Sequence, residues 1–217
     1  MLDKHISQLE QKITEMFSGD SMGHNIDHLR RTLSNAVELQ KREGGDLEVI
    51  GVSAFIHDVH RIMENKEKRY ITPKESLPQI KELIADLKLT EKQKDHICHA
   101  IEFHEQYNFG GNPVTVTDIE TLILQDADNL DAIGAIPITR CIQYTLGNGG
   151  ILYDPNIPLY SSDNYDDTKF DPTVIHHIYN KLLRLGENMN TETARKMSIP
   201  KTKLMQDFIE MFIQEWR

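Results

Sequence analysis

Apolar residues recur at intervals of three and four along almost the whole chain, which is the spacing of helices that bury one face. Ile6, Leu9, Ile13, Met16 and Phe17 form the first such series, Leu29, Leu33, Ala36, Val37 and Leu39 the second, and Val49, Val52, Phe55 and Ile56 the third. The series continues with Ile80, Leu83, Ile84 and Leu87, with Ile97, Ala100, Ile101 and His104, and with Ile119, Leu122 and Ile123 running on toward Asp128. Ile175, Ile178, Tyr179, Leu182 and Leu183, then Leu204, Phe208, Met211 and Phe212, complete it. No stretch shows the strict alternation of a half-buried strand. Punctuation falls between the series. Gly44-Gly45-Asp46 ends one helix and caps the next, Thr90 caps the helix that follows Leu89, and Gly110-Gly111-Asn112-Pro113 separates two more. The pattern predicts an all-α protein of roughly nine helices.

One segment departs from the pattern. From Gly147 to Pro172 the chain offers Gly147-Asn148-Gly149-Gly150, Pro155, Pro158 and the polar run Ser161 to Asp167. A loop of that length is read either as a lid over a site or as a plain linker. The helices beyond it would expose a broad apolar face if they stood alone, so residues 1–217 are read as a single domain, with a core at about 20–135 and a helical extension at about 168–217.

Composition narrows the function classes. Hydrophobic residues make up 39% and charged residues 27% of 217 residues, the balance of a globular chain. A net charge of −10 argues against nucleic-acid or anionic-membrane partners, which call for a basic stripe. Cys98 and Cys141 are the only cysteines, too few for a disulfide scaffold or a thiolate zinc site, and they are read as structural thiols. No stretch approaches the ~20 apolar residues of a membrane span, and the expected location is the cytoplasm. The apolar end of the chain, Phe212, Ile213 and Trp216, serves either the core or a homodimer interface.

The candidate chemistry centres on His57-Asp58, set directly after the apolar run Val49 to Ile56. Ionisable neighbours are costly there unless something compensates them, and a divalent cation is the obvious compensation. His28 lies upstream, and His99, His104, Asp126, Asp128 and Asp131 lie downstream. Imidazole with carboxylate and without thiolate suits Mn, Fe, Zn or Ni and tolerates Mg. His24, His28 and Arg31 fall at i, i+4 and i+7 on one helix face, where a cation or a phosphate could meet all three. Asp128 and Asp131 share a face whereas Asp126 points nearly opposite to Asp128, so one of these acids caps a helix or supports a histidine.

In order and spacing these residues resemble the HD-domain metal-dependent phosphohydrolases, whose signature is His, then His-Asp, then Asp on separate helices of an all-α core. The signature reads here as His28, His57-Asp58 and Asp128, the last placed by Ala127-Asp128-Asn129-Leu130-Asp131-Ala132. The segments Leu124 to Ala135, Tyr153-Asp154-Pro155 and Lys181-Leu182-Leu183 are similar to those of a subgroup of small bacterial HD hydrolases, and the likeness spans residues from about 20 to 217. The resemblance implies one divalent ion held by His28, His57, Asp58 and Asp128 and hydrolysis of a phosphate ester or anhydride, with a nucleotide as the expected substrate. Asp58 and His104 are then the catalytic candidates, and Arg31, Arg140, Lys181 and His24 the candidates for holding phosphate. Asp126, Asp131 and His99 would support the ligands from behind. Two-metal relatives carry a further His at the start of the helix before His104, and Thr72 to Ser76 has none, which favours one metal. His99 and His104 stand ~140° apart on a regular helix and so take different roles. His60 is either support or merely exposed.

Two other readings share these residues. A sensor would keep the metal and bind a nucleotide without turnover, and a di-iron oxygenase would need a second ligand set that is incomplete in the sequence. No motif reads a base or a sugar, so substrate identity stays open, as does the identity of the physiological metal.

Overall fold

Every residue from Val49 to Ile56 is buried, so helix α3 (Leu47–Ile56) is apolar all round and its neighbours cover it on every side. α1 (Leu2–Met16) turns Leu2, His5, Leu9 and Ile13 inward and packs on α3. α2 (Ile26–Glu43) buries His28, Leu29, Thr32, Ala36 and Leu39 against it, and α6 (Glu91–Phe103) buries Ile97, Cys98, Ala100 and Ile101. Between them run α4 (Val59–Glu67), a short 3-10 turn (Pro73–Ser76) and α5 (Leu77–Ile84), which lies on α6. α7 (Ile119–Asp131) is tied to this group by Gln125, which donates to the Phe103 carbonyl at 2.9 Å, and by Asn35, which donates to the Ala127 carbonyl at 3.1 Å.

The structure is a computed structural model and describes residues 1–17, 25–106, 116–159, 171 and 173–216. Among these the fold is all-α, as the periodicity predicts, with a single extended bridge between Ile151 and Thr173. The described residues divide into two compact units, one ending at Asp128 and the other beginning at Asn129. No described helix is long and apolar enough to cross a membrane.

In the second unit, α8 (Ala135–Gly147) and α11 (Glu192–Glu215) pack together. α9 (Val174–His177) and α10 (Leu183–Glu187) flank a π-helical stretch, Ile178–Leu182, which contains Lys181. Ser198 of α11 donates to the Gly186 carbonyl at 2.9 Å, and Lys201 donates to the Leu130 carbonyl at 2.7 Å. Tyr153 stacks on the buried His176 and meets Phe212 and Trp216 edge-on. The chain's apolar end therefore joins an aromatic cluster within this unit, although Trp216 remains 47% exposed.

Two helices carry no readable apolar stripe in the sequence. α4 is short and buries His60 between Val59 and Ile62, so its inward face looks polar. α8 contains Pro137, which reads as a breaker but falls in the first turn, where its missing N–H has no partner to lose. α11 begins well before Leu204 and runs through Pro200. The separator Gly110 to Pro113, and residues 160–170 and 172 of the stretch read as lid or linker, lie outside the described residues.

The turn between α2 and α3 fixes where α3 starts. Gly44 and Gly45 take φ of 85° and 86°, the left-handed region that a side chain resists. Asp46 then accepts from the backbone of Glu48 at 2.9 Å and of Val49 at 3.3 Å, and its second oxygen accepts from Gln93 of α6 at 2.9 Å. Replacing it removes the cap and a bond between helices. Asp46→Ala is expected to lower the free energy of unfolding by about 1–2 kcal/mol, and Asp46→Ser to recover the larger part, as read from urea midpoints followed by circular dichroism.

Candidate metal centre

His57 and Asp58 sit where α3 gives way to α4. The backbone is still helical at His57, with φ −59° and ψ −35°, and it turns at Asp58, with φ −88° and ψ 15°. The break aims both side chains at one point, and both residues are buried. His28 comes from the first turn of α2, where its backbone N–H donates to the capping Asn25 side chain at 3.1 Å. Asp128 comes from α7, and His104 from the C-terminal cap of α6.

His28 Nε2 lies 3.3 Å from His57 Nε2, 3.2 Å from Asp58 Oδ2 and 3.4 Å from Asp128 Oδ1. His57 Nε2 lies 3.6 Å from Asp58 Oδ1 and 3.6 Å from Asp128 Oδ1. Ligands held at about 2.0–2.2 Å from one small cation stand roughly 3–3.5 Å from one another, so these separations fit a common ion. Electrostatics point the same way. Burial disfavours charge on His57, but Asp58 and Asp128 outweigh it and lift its pKa to about 9. Burial likewise works against Asp128, and the bond and charge of His57, with His28, hold its carboxyl well below the usual carboxylate range. An imidazole that retains a proton between two carboxylates marks a place where positive charge is needed.

The main chain sets the tautomers. His57 donates from Nδ1 to the Ala54 carbonyl at 3.0 Å, and His104 donates from Nδ1 to the Ile101 carbonyl at 2.7 Å. A carbonyl can only accept, so each ring is left with Nε2 turned inward. The accepting carbonyls lie in the last turns of α3 and α6, where helices leave such groups without partners. His104 Nε2 is buried and has no hydrogen-bond partner among the described residues. Burial lowers the His104 pKa to about 4, with His57 and His60 adding to the effect and Glu105 and Asp128 opposing it. At neutral pH its inward nitrogen is therefore a free base. His104 also joins His57 and Asp128, and separately Asp58 and His60, in groups whose donor atoms lie within 4.8 Å of one another.

Behind the centre stands a charged network that the sequence does not single out. His60 is fully buried and donates from Nδ1 to the His57 carbonyl at 3.3 Å, with Nε2 3.3 Å from Glu105. Arg61 binds Glu105, donates to Glu64 at 3.0 Å and lies 4.0 Å from Asp58. Burial opposes its charge, but Glu105, Asp58 and Glu64 hold the guanidinium charged. Arg61 and Glu64 are one turn apart on α4, whereas Glu105 arrives from the turn that follows α6.

The remaining candidates fall in several places. Arg31 is half-buried on α2, one turn beyond His28 and on the same face. Asp126 is buried on α7. Asp131 and Arg140 belong to the second unit, where Arg140 donates to Asp131 at 3.0 Å. Lys181 is in the same unit. His99, expected behind the centre, instead lies exposed with Nε2 3.3 Å from Asp118, because five residues of helix rotate it ~140° away from His104. His24 lies outside the described residues. Both thiols are free and buried, and burial pushes Cys141 up to about 11, which suits packing rather than nucleophilic attack.

Comparison with known proteins bears on this geometry. A protein from Lactobacillus plantarum of known structure is 29% identical, aligns over 100% of this chain and 99% of its own, and superposes with a TM-score of 0.80. An HD-superfamily hydrolase from Bacillus thuringiensis is 28% identical over 100% of this chain and 98% of its own, with a TM-score of 0.74. Uncharacterized protein YpgQ of Bacillus subtilis is 26% identical over 95% of this chain and 91% of its own. The structure of YpgQ in complex with ADP superposes with a TM-score of 0.69 and covers 98% of this chain and 95% of YpgQ. The HD domain model matches residues 25–133, a span that opens at the cap of His28's helix and takes in His57, Asp58, His104 and Asp128, and the chain accordingly belongs to the HD-domain family.

Proposed function

We propose that this protein is a metal-dependent phosphohydrolase acting on a nucleotide, as a phosphatase or a pyrophosphohydrolase. The observation that carries this reading is the convergence of His28, His57, Asp58 and Asp128 beside the unpartnered Nε2 of His104. The structure of YpgQ with ADP supports a nucleotide as the class of substrate.

His28, His57, Asp58 and Asp128 would hold one divalent ion of the Mn, Mg, Ni, Fe or Zn class. Such an ion supplies Lewis acidity, which eases deprotonation of water and draws charge from a phosphoryl group. The protein's own groups do the rest. His57 presents Nε2 because its Nδ1 is committed to the Ala54 carbonyl. Arg61, held by Glu64 and Glu105, keeps positive charge behind Asp58. His104, neutral at physiological pH and with a free lone pair, is placed to take a proton from attacking water. Arg31, on the His28 face of α2, is the candidate in this unit for a phosphate oxygen. No serine or cysteine nucleophile is needed.

Two predictions follow from this assignment. Metal-stripped protein is expected to regain one Mn ion per chain and to gain stability, by about 2.7 kcal/mol when free metal is a hundredfold above Kd. His57→Ala and Asp58→Ala should lose both the stoichiometric Mn ion and the gain, as read by elemental analysis and thermal melting; Mn retained in either variant would overturn the ligand assignment.

The second prediction concerns turnover. Release of phosphate or pyrophosphate from a nucleotide panel should require added metal and vanish in Asp128→Ala. His104→Gln should lower kcat by roughly 10²–10⁴-fold while metal stoichiometry is unchanged. Tight nucleotide binding without release would replace the hydrolase with a sensor. An unaltered rate in His104→Gln would remove its role as base.

A further inference from the structure

A second set of imidazoles and carboxylates gathers on the outer side of α6. His96 and His99 are three residues apart and share a face of that helix. Opposite them the start of α7 presents Asp118 and Glu120. His96 Nε2 lies 2.8 Å from Asp118 Oδ1 and 3.7 Å from Glu120 Oε2, and His99 Nε2 lies 3.3 Å from Asp118 Oδ2. None of the four belongs to the centre formed by His28, His57, Asp58 and Asp128.

Both carboxylates are anchored by groups outside the set. Asp118 Oδ1 accepts from the Thr121 backbone at 3.0 Å and from the Thr121 hydroxyl at 2.6 Å, so it caps α7. Glu120 Oε1 accepts from the Asp46 backbone at 2.9 Å, which leaves Oε2 turned toward His96. Partial burial works against ionisation of Asp118, but the Thr121 bonds and His96 overcome it and hold the carboxyl at about 2. The anchoring bonds hold oxygens of Asp118 and Glu120 in fixed positions facing His96, with the second Asp118 oxygen toward His99. His96, Asp118 and Glu120 each bring a donor atom within 4.8 Å of the others. An ion pair accounts for His96 with Asp118; it does not account for a second anchored carboxylate, Glu120, gathered with them, nor for His99 on the other oxygen of Asp118.

We infer that His96, His99, Asp118 and Glu120 form a second divalent-metal site, separate from the HD centre, suited to zinc, nickel or cobalt. Imidazole with carboxylate at a partly exposed surface selects these ions over magnesium or calcium, which favour oxygen donors alone. An ion there would clamp the middle of α6 to the first turn of α7. Those helices deliver His104 and Asp128, so the site would act as a structural clasp on two elements of the HD centre rather than as a place of chemistry.

Zinc titration of the full-length protein tests this without reference to activity. At zinc twice the protein concentration, His96→Gln/His99→Gln is expected to carry one ion per chain fewer than wild type by elemental analysis after desalting. It should also lose the part of the zinc-dependent rise in melting temperature that persists in His57→Ala, where the HD ligands are already broken. Equal zinc content and equal melting shifts in wild type and the double variant would overturn the site. If the double variant melts early in EDTA, Glu120→Gln replaces it: the amide oxygen still accepts from the Asp46 backbone, so an unchanged zinc content there would overturn the site and a reduced content would support it.

Discussion

Two imidazoles and two carboxylates, all buried but the half-buried Asp128, gathered at the end of the apolar run Val49 to Ile56, are the constraint on which the first unit depends. Charged groups taken out of water without partners are strongly destabilising, so each must be answered by something nearby. The answers come from every direction: backbone carbonyls of α3 and α6 for the rings, an Asn25 cap that seats His28, and Arg61 behind Asp58. Arg61 is itself buried and needs Glu64 and Glu105, which draws the end of α6 into the same network. Five helices, α4 among them without a readable stripe in the sequence, are thus bound together by charge around a single point, with α3 supplying the apolar mass that keeps water away.

How far this was legible in the sequence depends on whether the signal was local. Gly44-Gly45-Asp46 and Thr90 mark helix ends through their own backbone chemistry, and both act there as caps. The HD-type order of His28, His57-Asp58 and Asp128 likewise survives in one dimension, and the family match spans it. The Arg61 and Glu105 pair does not, because the two residues are 44 positions apart and meet only through folding. His60 left its role open since a histidine in a short amphipathic stretch looks the same whether it faces core or solvent. Asp131 and Arg140 illustrate another limit: each has the chemistry expected of the centre, and spacing gave no sign that they also bond each other.

The second unit shows the same economy of backbone groups. Lys201 of α11 reaches the Leu130 carbonyl near the end of α7, where helices leave carbonyls unpaired, and the Gly134 N–H meets the Met205 sulfur at 3.0 Å. Gly134, at φ 108°, makes the turn from α7 into α8. Thr173 caps α9 and also bonds the buried His176, whose Nε2 donates to the Ile157 carbonyl at 3.0 Å. Polar side chains here close helix ends, which leaves the aromatic cluster of Tyr153, Phe212 and Trp216 to pack undisturbed.

The locking of His57 and His104 to carbonyls three residues behind them has a consequence for descent. Because the main chain decides which nitrogen faces the centre, the residues around it can be exchanged over evolutionary time without altering how the rings present themselves. Substrate preference can then diverge through loops and surface side chains while ligand chemistry stays constant. The same lock makes the site intolerant of a different kind of change: an insertion or deletion in the last turn of α3 or α6 would move the accepting carbonyl and turn the ring with it. Variation among descendants of this chain should therefore be tolerated as substitution and excluded as length change at those two turns.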